Sequence, residues 1–121
     1  MGKYLHDDVL DAALDELAAG TTLTVCSSQP TSRTEAITTY KLADVTIDSS
    51  DFTNADGDSS GRKVTIAQQS AVPIDTSGTA THIAICDSTR LLAVTECDSQ
   101  ALTSGGTVTV PAFKLEMADV T

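Results

Sequence analysis

The hydrophobic period of this chain changes at Gly20, and this change limits the possible folds more than any other sequence feature. Before Gly20, apolar residues recur every three or four positions, the spacing of one face of an α-helix: Leu5, Val9, Leu10, Ala13, Leu14 and Leu17. We therefore predict a helix over about residues 5–19, capped by Asp7 or Asp8, since a carboxylate satisfies the free amides of a first turn. Gly20 is expected to end the helix in the left-handed conformation.

After Gly20 the apolar residues alternate with polar ones, as in a β-strand with one wet face. Leu23 and Val25 mark a first short strand, and residues 27–34 predict a loop. Residues 36–47 predict a second strand with a break or bulge near Ala43, where the alternation slips. Its expected buried positions are Tyr40, Leu42, Val45 and Ile47.

The second half predicts further strands separated by turn-forming residues. Residues 48–61 are rich in Asp, Ser and Gly and predict an irregular loop. We expect strands at 62–67, at 71–74 (an edge, because of Pro73), at 79–86 and 91–97 (a hairpin), and at 107–117. A bulge at Pro111-Ala112 would bring Val108 and Val110 to the same side as Phe113, Leu115 and Met117.

These elements predict a mainly β protein: an antiparallel β-sandwich or distorted barrel with one N-terminal α-helix. The helix occupies about residues 5–19 and the β-rich body about 21–117. The length of 121 residues fits a single domain over residues 1–121.

The three cysteines, Cys26, Cys86 and Cys97, are an odd number without CxxC spacing. We predict reduced, buried thiols rather than a disulfide framework or a zinc site. In the predicted hairpin Cys86 lies opposite Leu91 and Cys97 opposite Ala80. A bridge between these two cysteines is therefore not expected.

The formal net charge of −10 disfavours direct binding to nucleic acid, because such binding depends on Lys and Arg. No apolar run reaches the length of a membrane-spanning helix, about 18 residues, so no membrane partner is expected. Asp7 and Asp8 interrupt any signal-peptide pattern, and we expect synthesis in the cytoplasm.

Candidate chemical groups are few, and we predict no catalytic, cofactor-binding or metal-binding residue and no enzymatic activity. Asp51, Asp56 and Asp58 lie in a calcium-loop-like segment, but EF-hand spacing would place Phe52 and Lys63 at ligand positions. An exposed acidic turn is favoured over a cation site.

The two histidines also favour ordinary structural roles. His82 with Cys86 or Cys97 would need an orienting group and an oxyanion hole that no motif supplies. His6 precedes the helix and suits a capping or solvated position.

Several segments resemble small structural proteins of tailed phages. They are residues 4–14 (YLHDDVLDAAL), 23–30 (LTVCSSQP), 61–65 (GRKVT), 78–87 (GTATHIAICD), 90–93 (RLLA), 101–110 (ALTSGGTVTV) and Phe113. That family, described as capsid decoration (cement) or tail-fibre-like proteins, carries no catalytic motif. The resemblance covers nearly the whole chain.

The resemblance implies a virion structural protein without cofactors, first of all a decoration protein that stabilises the head shell. Its partner would be the major capsid protein, and it would form a homo-oligomer such as a trimer. It would be made in the bacterial host cytoplasm and lie on the outer capsid surface. The alternative is a tail or tail-fibre component or adaptor, with tail proteins as partners. A non-phage binding module of the same β class stays open, and a small hydrolase is disfavoured.

Overall fold

The computed structural model describes residues 6–58 and 61–117, and it is mainly β, as the alternation predicted. The described part contains one α-helix, α1 (Asp7–Leu17), a π-helical turn (Glu35–Thr39) and a 3-10 turn (Ser49–Asp51). Its strands are β1 (Thr22–Cys26), β2 (Lys41–Thr46), β3 (Phe52–Asp56), β4 (Arg62–Ile66), β5 (Gln69–Pro73), β6 (Gly78–Cys86), β7 (Leu91–Leu102), β8 (Thr107–Val110) and β9 (Phe113–Met117). No helix within these residues is long and apolar enough to cross a membrane.

The strands pair antiparallel in three sheets, with orders β2-β1-β6-β7, β3-β4-β9 and β5-β8. A bridge between Ala43 and Ile74 joins the two-stranded sheet to β2. Side chains from all three sheets and from α1 meet in one apolar core, including Leu14, Leu23, Ile66 and Val72. The arrangement is therefore sandwich-like, with the helix against the body.

The helix begins one position earlier than the predicted carboxylate cap. His6 is the N-cap, and its Nδ1 accepts a hydrogen bond from the Asp8 backbone amide at 3.0 Å. The imidazole Nδ1 thus accepts the capping hydrogen bond that a carboxylate of Asp7 or Asp8 was expected to accept. The buried stripe of the helix is also narrower than predicted. Of the described residues of the predicted stripe, Leu10, Leu14 and Leu17 are buried.

Two other members of the predicted stripe point to solvent. Val9 is 53% exposed and Ala13 is exposed. Leu5 lies outside the described residues. Three leucines at spacings of four and three positions are therefore enough to hold the helix on the body.

The prediction that Gly20 ends the helix is wrong: the helix ends at Leu17 with Ala18 as its C-cap, and the φ of Gly20 lies outside the left-handed region. The residue is buried, and a Cβ at this position would lie 2.6 Å from Ile85 Cγ2 and 3.2 Å from the Leu17 carbonyl oxygen. Glycine is thus required by the close approach of the chain to β6.

The predicted strand over residues 36–47 is wrong in its first third. Residues 35–39 form the π-helical turn, closed by a 2.8 Å hydrogen bond from the Tyr40 amide to the Glu35 carbonyl. This turn buries Ala36 against the outer face of β1 and β6, which needs a cover because Cys26 and Cys86 lie there. Because this face of the sheet is covered from solvent, Thr24 is fully buried, although the alternation of apolar and polar residues predicted an exposed position.

The rest of the same prediction is confirmed. Leu42 and Ile47 are buried, while Val45 and Tyr40 are half-buried. The register shifts between Val25↔Ala43 and Cys26↔Lys41, so Leu42 is the extra residue of a bulge next to Ala43.

The predicted 48–61 loop is also wrong, because it contains a strand. Asp48 and Asp51 form a capping box around the 3-10 turn, and β3 follows with Phe52 opposite Ile66. Polar residues can occupy β3 because it is an edge strand with one neighbour.

The C-terminal hairpin is confirmed, and β5, with Pro73 as its last residue, pairs only with β8. The single strand predicted over 107–117 is instead two strands in different sheets. β8 pairs with β5 and β9 pairs with β4, so Pro111-Ala112 connects strands of two different sheets and is not a bulge within one strand. Val108 and Val110 are buried, and Phe113 and Leu115 are half-buried; the Met117 side chain lies outside the described part.

Candidate functional site

An open cleft lies between β7 on one side and β8, Pro111 and the start of β9 on the other; β7 and β9 are end strands of two different sheets. One lobe, of about 230 Å³, is lined by Cys97 and Asp98 from β7 and by Val108 to Pro111 on the other side. The neighbouring lobe, of about 360 Å³, lies between Thr95–Asp98 and the segment Pro111–Phe113. We call the two lobes together the β7–β9 cleft.

A wide bulge in β7 forms one wall of the cleft. Ala80 pairs with Gln100 and His82 pairs with Glu96, so residues 97–99 stand opposite a single residue of β6. The bulge takes Cys97 out of the position opposite Ala80 that a regular hairpin predicts. Cys86 does pair with Leu91, as expected. Bulges bend an edge strand locally, and here the bend opens the space beside Pro111.

The cleft has an apolar floor and an acidic rim. Ile83, only 8% exposed, and half-buried Phe113 contribute to the floor. Glu96 and Asp98 are exposed at the rim, and among the described residues no Lys, Arg or His lines either lobe. The Cys97 thiol, half-buried between them, has a raised pKa because burial and then Asp98 disfavour its thiolate.

Elsewhere the basic side chains of the described residues have partners. Arg62 Nε donates to Asp11 Oδ1 at 2.8 Å and its Nη1 to Asp56 at 2.6 Å, which ties α1 to β3 and β4. Arg90 Nη2 lies 2.6 Å from Glu16 and 2.7 Å from Asp87.

The lysines and the remaining described arginine are engaged as well. Asp58 pairs with both Lys63 and Lys114, and Lys41 lies between two carboxylates, Asp44 and Asp75. Arg33 Nε donates to the Asp87 carbonyl at 2.8 Å. Every Lys and Arg in residues 6–58 and 61–117 thus already has an acidic or carbonyl partner.

The carboxylates of the calcium-loop-like segment are engaged by other groups of the protein. Asp51 accepts from the Asp48 amide, while Asp56 and Asp58 bind basic side chains. Within the part of the chain that the structure describes, no three His, Cys, Asp or Glu side chains form a group suited to a metal ion.

Among the described residues no hydrogen bond joins His82 to a cysteine, although His82 pairs with Cys26 of β1 in the register. His82 Nδ1 lies 2.8 Å from Thr81 Oγ1, and the ring stands opposite Glu96 in the register. All three thiols are free; Cys26 and Cys86 are buried, whereas Cys97 is only half-buried, against the prediction. Burial raises the pKa of both buried thiols, which is the reverse of an activated nucleophile.

Sequence reasoning missed the cleft because it depends on the β7 bulge and on the strand crossing. The one available signal was the change of parity across Pro111-Ala112, which indicated an irregularity but not a change of sheet. Comparison of the chain with protein-family models, with curated proteins and with solved structures finds no match.

Proposed function

We propose that this protein is a structural part of a tailed-phage particle, in the first place a decoration protein on the outside of the head shell. The observation that carries the proposal is the charge arrangement of the β-rich body. Its described lysines and arginines all have a carboxylate or carbonyl partner, while the chain has a formal net charge of −10. The sequence resemblance to small phage structural proteins points to the same role.

The excess negative charge suits an outer position. A surface whose carboxylates outnumber its cations repels a packaged genome and does not compete for its phosphates. It also keeps many copies soluble before they assemble. An inner position against the DNA would require the opposite balance.

The ion pairs suit a part that docks as a preformed body. Arg62 joins the helix to β3 and β4, and Arg90 joins the helix to the β6–β7 turn through Glu16 and Asp87. Asp58 joins β4 to β9 through Lys63 and Lys114. Such cross-links restrict motion between elements, so less conformational entropy is lost on docking.

The test is gold labelling of purified particles with antibody against this chain, viewed by electron microscopy. Label spread over the head supports the decoration role, and label confined to the tail replaces it with the tail or adaptor role. Antibody preadsorbed with the purified protein is the control. Absence of specific label from intact particles, with the chain also absent from their denatured protein profile, would contradict both roles.

A rebinding experiment separates attachment from mere presence. Particles lacking the chain are mixed with the purified protein and sedimented. Saturable binding to heads, together with increased resistance of the heads to heat or chelator, is expected of a decoration protein. No co-sedimentation would contradict it.

A further inference from the structure

We propose that the β7–β9 cleft binds an extended segment of a partner protein that presents one apolar side chain flanked by Lys or Arg. This inference concerns the cleft alone and does not depend on the virion role. It rests on the size, the walls and the charge of the cleft.

Each lobe, taken separately, has room for one large side chain. The lobes measure about 230 and 360 Å³, at or below the lower end of small-molecule pockets, about 300–1,000 Å³. Leu, Met or Phe from a peptide would fit within one lobe and leave its backbone at the mouth.

The walls suit an apolar anchor. Ile83 from β6, Val110 from β8 and Phe113 from β9 present aliphatic and aromatic surface, and Pro111 forms part of the rim. The cleft reaches the core, since Ile83 and Val110 also belong to it. Filling the cleft would therefore continue the packing of the core outward.

The backbone around the cleft suits an extended segment. Among the described strands, β7 and β9 each have only one neighbour, so each has an edge that no described strand of its own sheet covers. Residues 97–99 of the bulge lie outside the regular ladder with β6. An extended peptide can use such edge groups for hydrogen bonds.

The charge selects the partner. Glu96 and Asp98 stand at the mouth without an ion-pair partner among the described residues, and no basic group lines the cleft. A Lys or Arg next to the anchor would meet these carboxylates. A second copy of this chain, itself at −10, would be repelled, so a basic segment of another protein is the fitting occupant.

The probe is the capped peptide Gly-Lys-Thr-Leu-Thr-Lys-Gly, in which Leu and both Lys side chains share one face when the peptide is extended. It is titrated to millimolar concentration into the full chain labelled with nitrogen-15. We expect amide shifts in Thr95, Cys97, Asp98, Thr109 and Phe113. Replacing the central Leu by Ala should weaken binding about tenfold, through the lost apolar contact.

The double variant Glu96→Gln/Asp98→Asn should weaken binding of the probe about twofold to thirtyfold, the range for two exposed charge pairs. Asp8→Asn/Asp15→Asn is the matched control, because it makes the same charge change on the helix and should leave binding unchanged. The Leu-to-Ala peptide uses the unaltered protein, so its result does not depend on how the variants fold.

Three outcomes would overturn the proposal: no shifts at millimolar peptide, shifts centred away from the cleft, or equal weakening by both double variants. Self-association through the cleft at protein concentrations where the peptide does not bind would replace the basic partner with a second copy.

Discussion

Replacing Gly20 by alanine should destabilise the protein through a collision and not through backbone strain. Gly20 has no left-handed φ, so alanine can adopt its backbone conformation. The added Cβ, however, would lie 2.6 Å from Ile85 Cγ2, in the middle of the core. That separation is about 1 Å below an ordinary carbon–carbon contact.

The expected size follows from two opposing terms. Overpacking a well-packed core costs about 1–3 kcal/mol. Removing a glycine from the unfolded chain returns about 0.4–1 kcal/mol. The Gly20→Ala variant should therefore lose about 1–2 kcal/mol of unfolding free energy, with an unchanged dependence on denaturant.

The partner substitution identifies the cause. Ile85→Leu removes the methyl group at Cγ2 and keeps the volume, which alone should cost less than about 1.5 kcal/mol. In that background Gly20→Ala should cost little, giving a coupling of about 1 kcal/mol or more in a double-mutant cycle. Urea unfolding followed by circular dichroism measures all four proteins. If Gly20→Ala costs the same in both backgrounds, the collision with Ile85 is not the reason for the glycine.

Three further predictions address a turn, a titration and a thiol. Gly105 has φ +91° and open space around its Cβ position, so Gly105→Ala should cost about 1–2 kcal/mol by strain alone; a urea-unfolding cost below about 0.5 kcal/mol would contradict this. Asp87 accepts hydrogen bonds from the Thr89 amide and other groups of its turn, which lowers its pKa from 3.8 to about 2. Because the folded pKa is the lower one, this stabilisation is complete above about pH 4 and is lost as the pH falls towards 2. Between pH 5 and 2 the melting temperature should therefore fall less in Asp87→Asn than in the unaltered protein. Identical pH profiles of the two melting temperatures would refute this role of Asp87. Cys97 should react with iodoacetamide before the two buried cysteines, as read by mass spectrometry; equal rates at all three would show that their burial does not control access.

The sequence predicted those elements whose apolar residues follow a clean period. The helix packs one side on the core, and in the hairpin Ile83 and Ile85 of β6 face the main core while Ala84 and Cys86 face the smaller cluster. β3 was missed because its polar edge sequence resembles a loop, and only its pairing with β4 makes it a strand. The turn over residues 35–39 was missed because its conformation depends on covering Cys26 and Cys86.

The candidate site was beyond sequence reasoning for a related reason. The β7–β9 cleft exists because β7 carries two extra residues and because the chain changes sheets at Pro111-Ala112. Neither the extra residues of β7 nor the change of sheet alters the local pattern of apolar residues enough for its position to be predicted from the sequence. The role of Gly20 was likewise hidden, since a contact with Ile85 across the fold leaves no trace near residue 20.

The strand order also determines when the chain can fold during its synthesis. Thr24 pairs with Ala84 and Val64 pairs with Leu115, so β1 and β4 wait for partners that leave the ribosome much later. Pairings so distant in sequence close slowly, because large loops must be ordered before contacts form. The body can therefore be completed only after β9 emerges, and until then the nascent chain depends on its high negative charge to avoid associating with its neighbours.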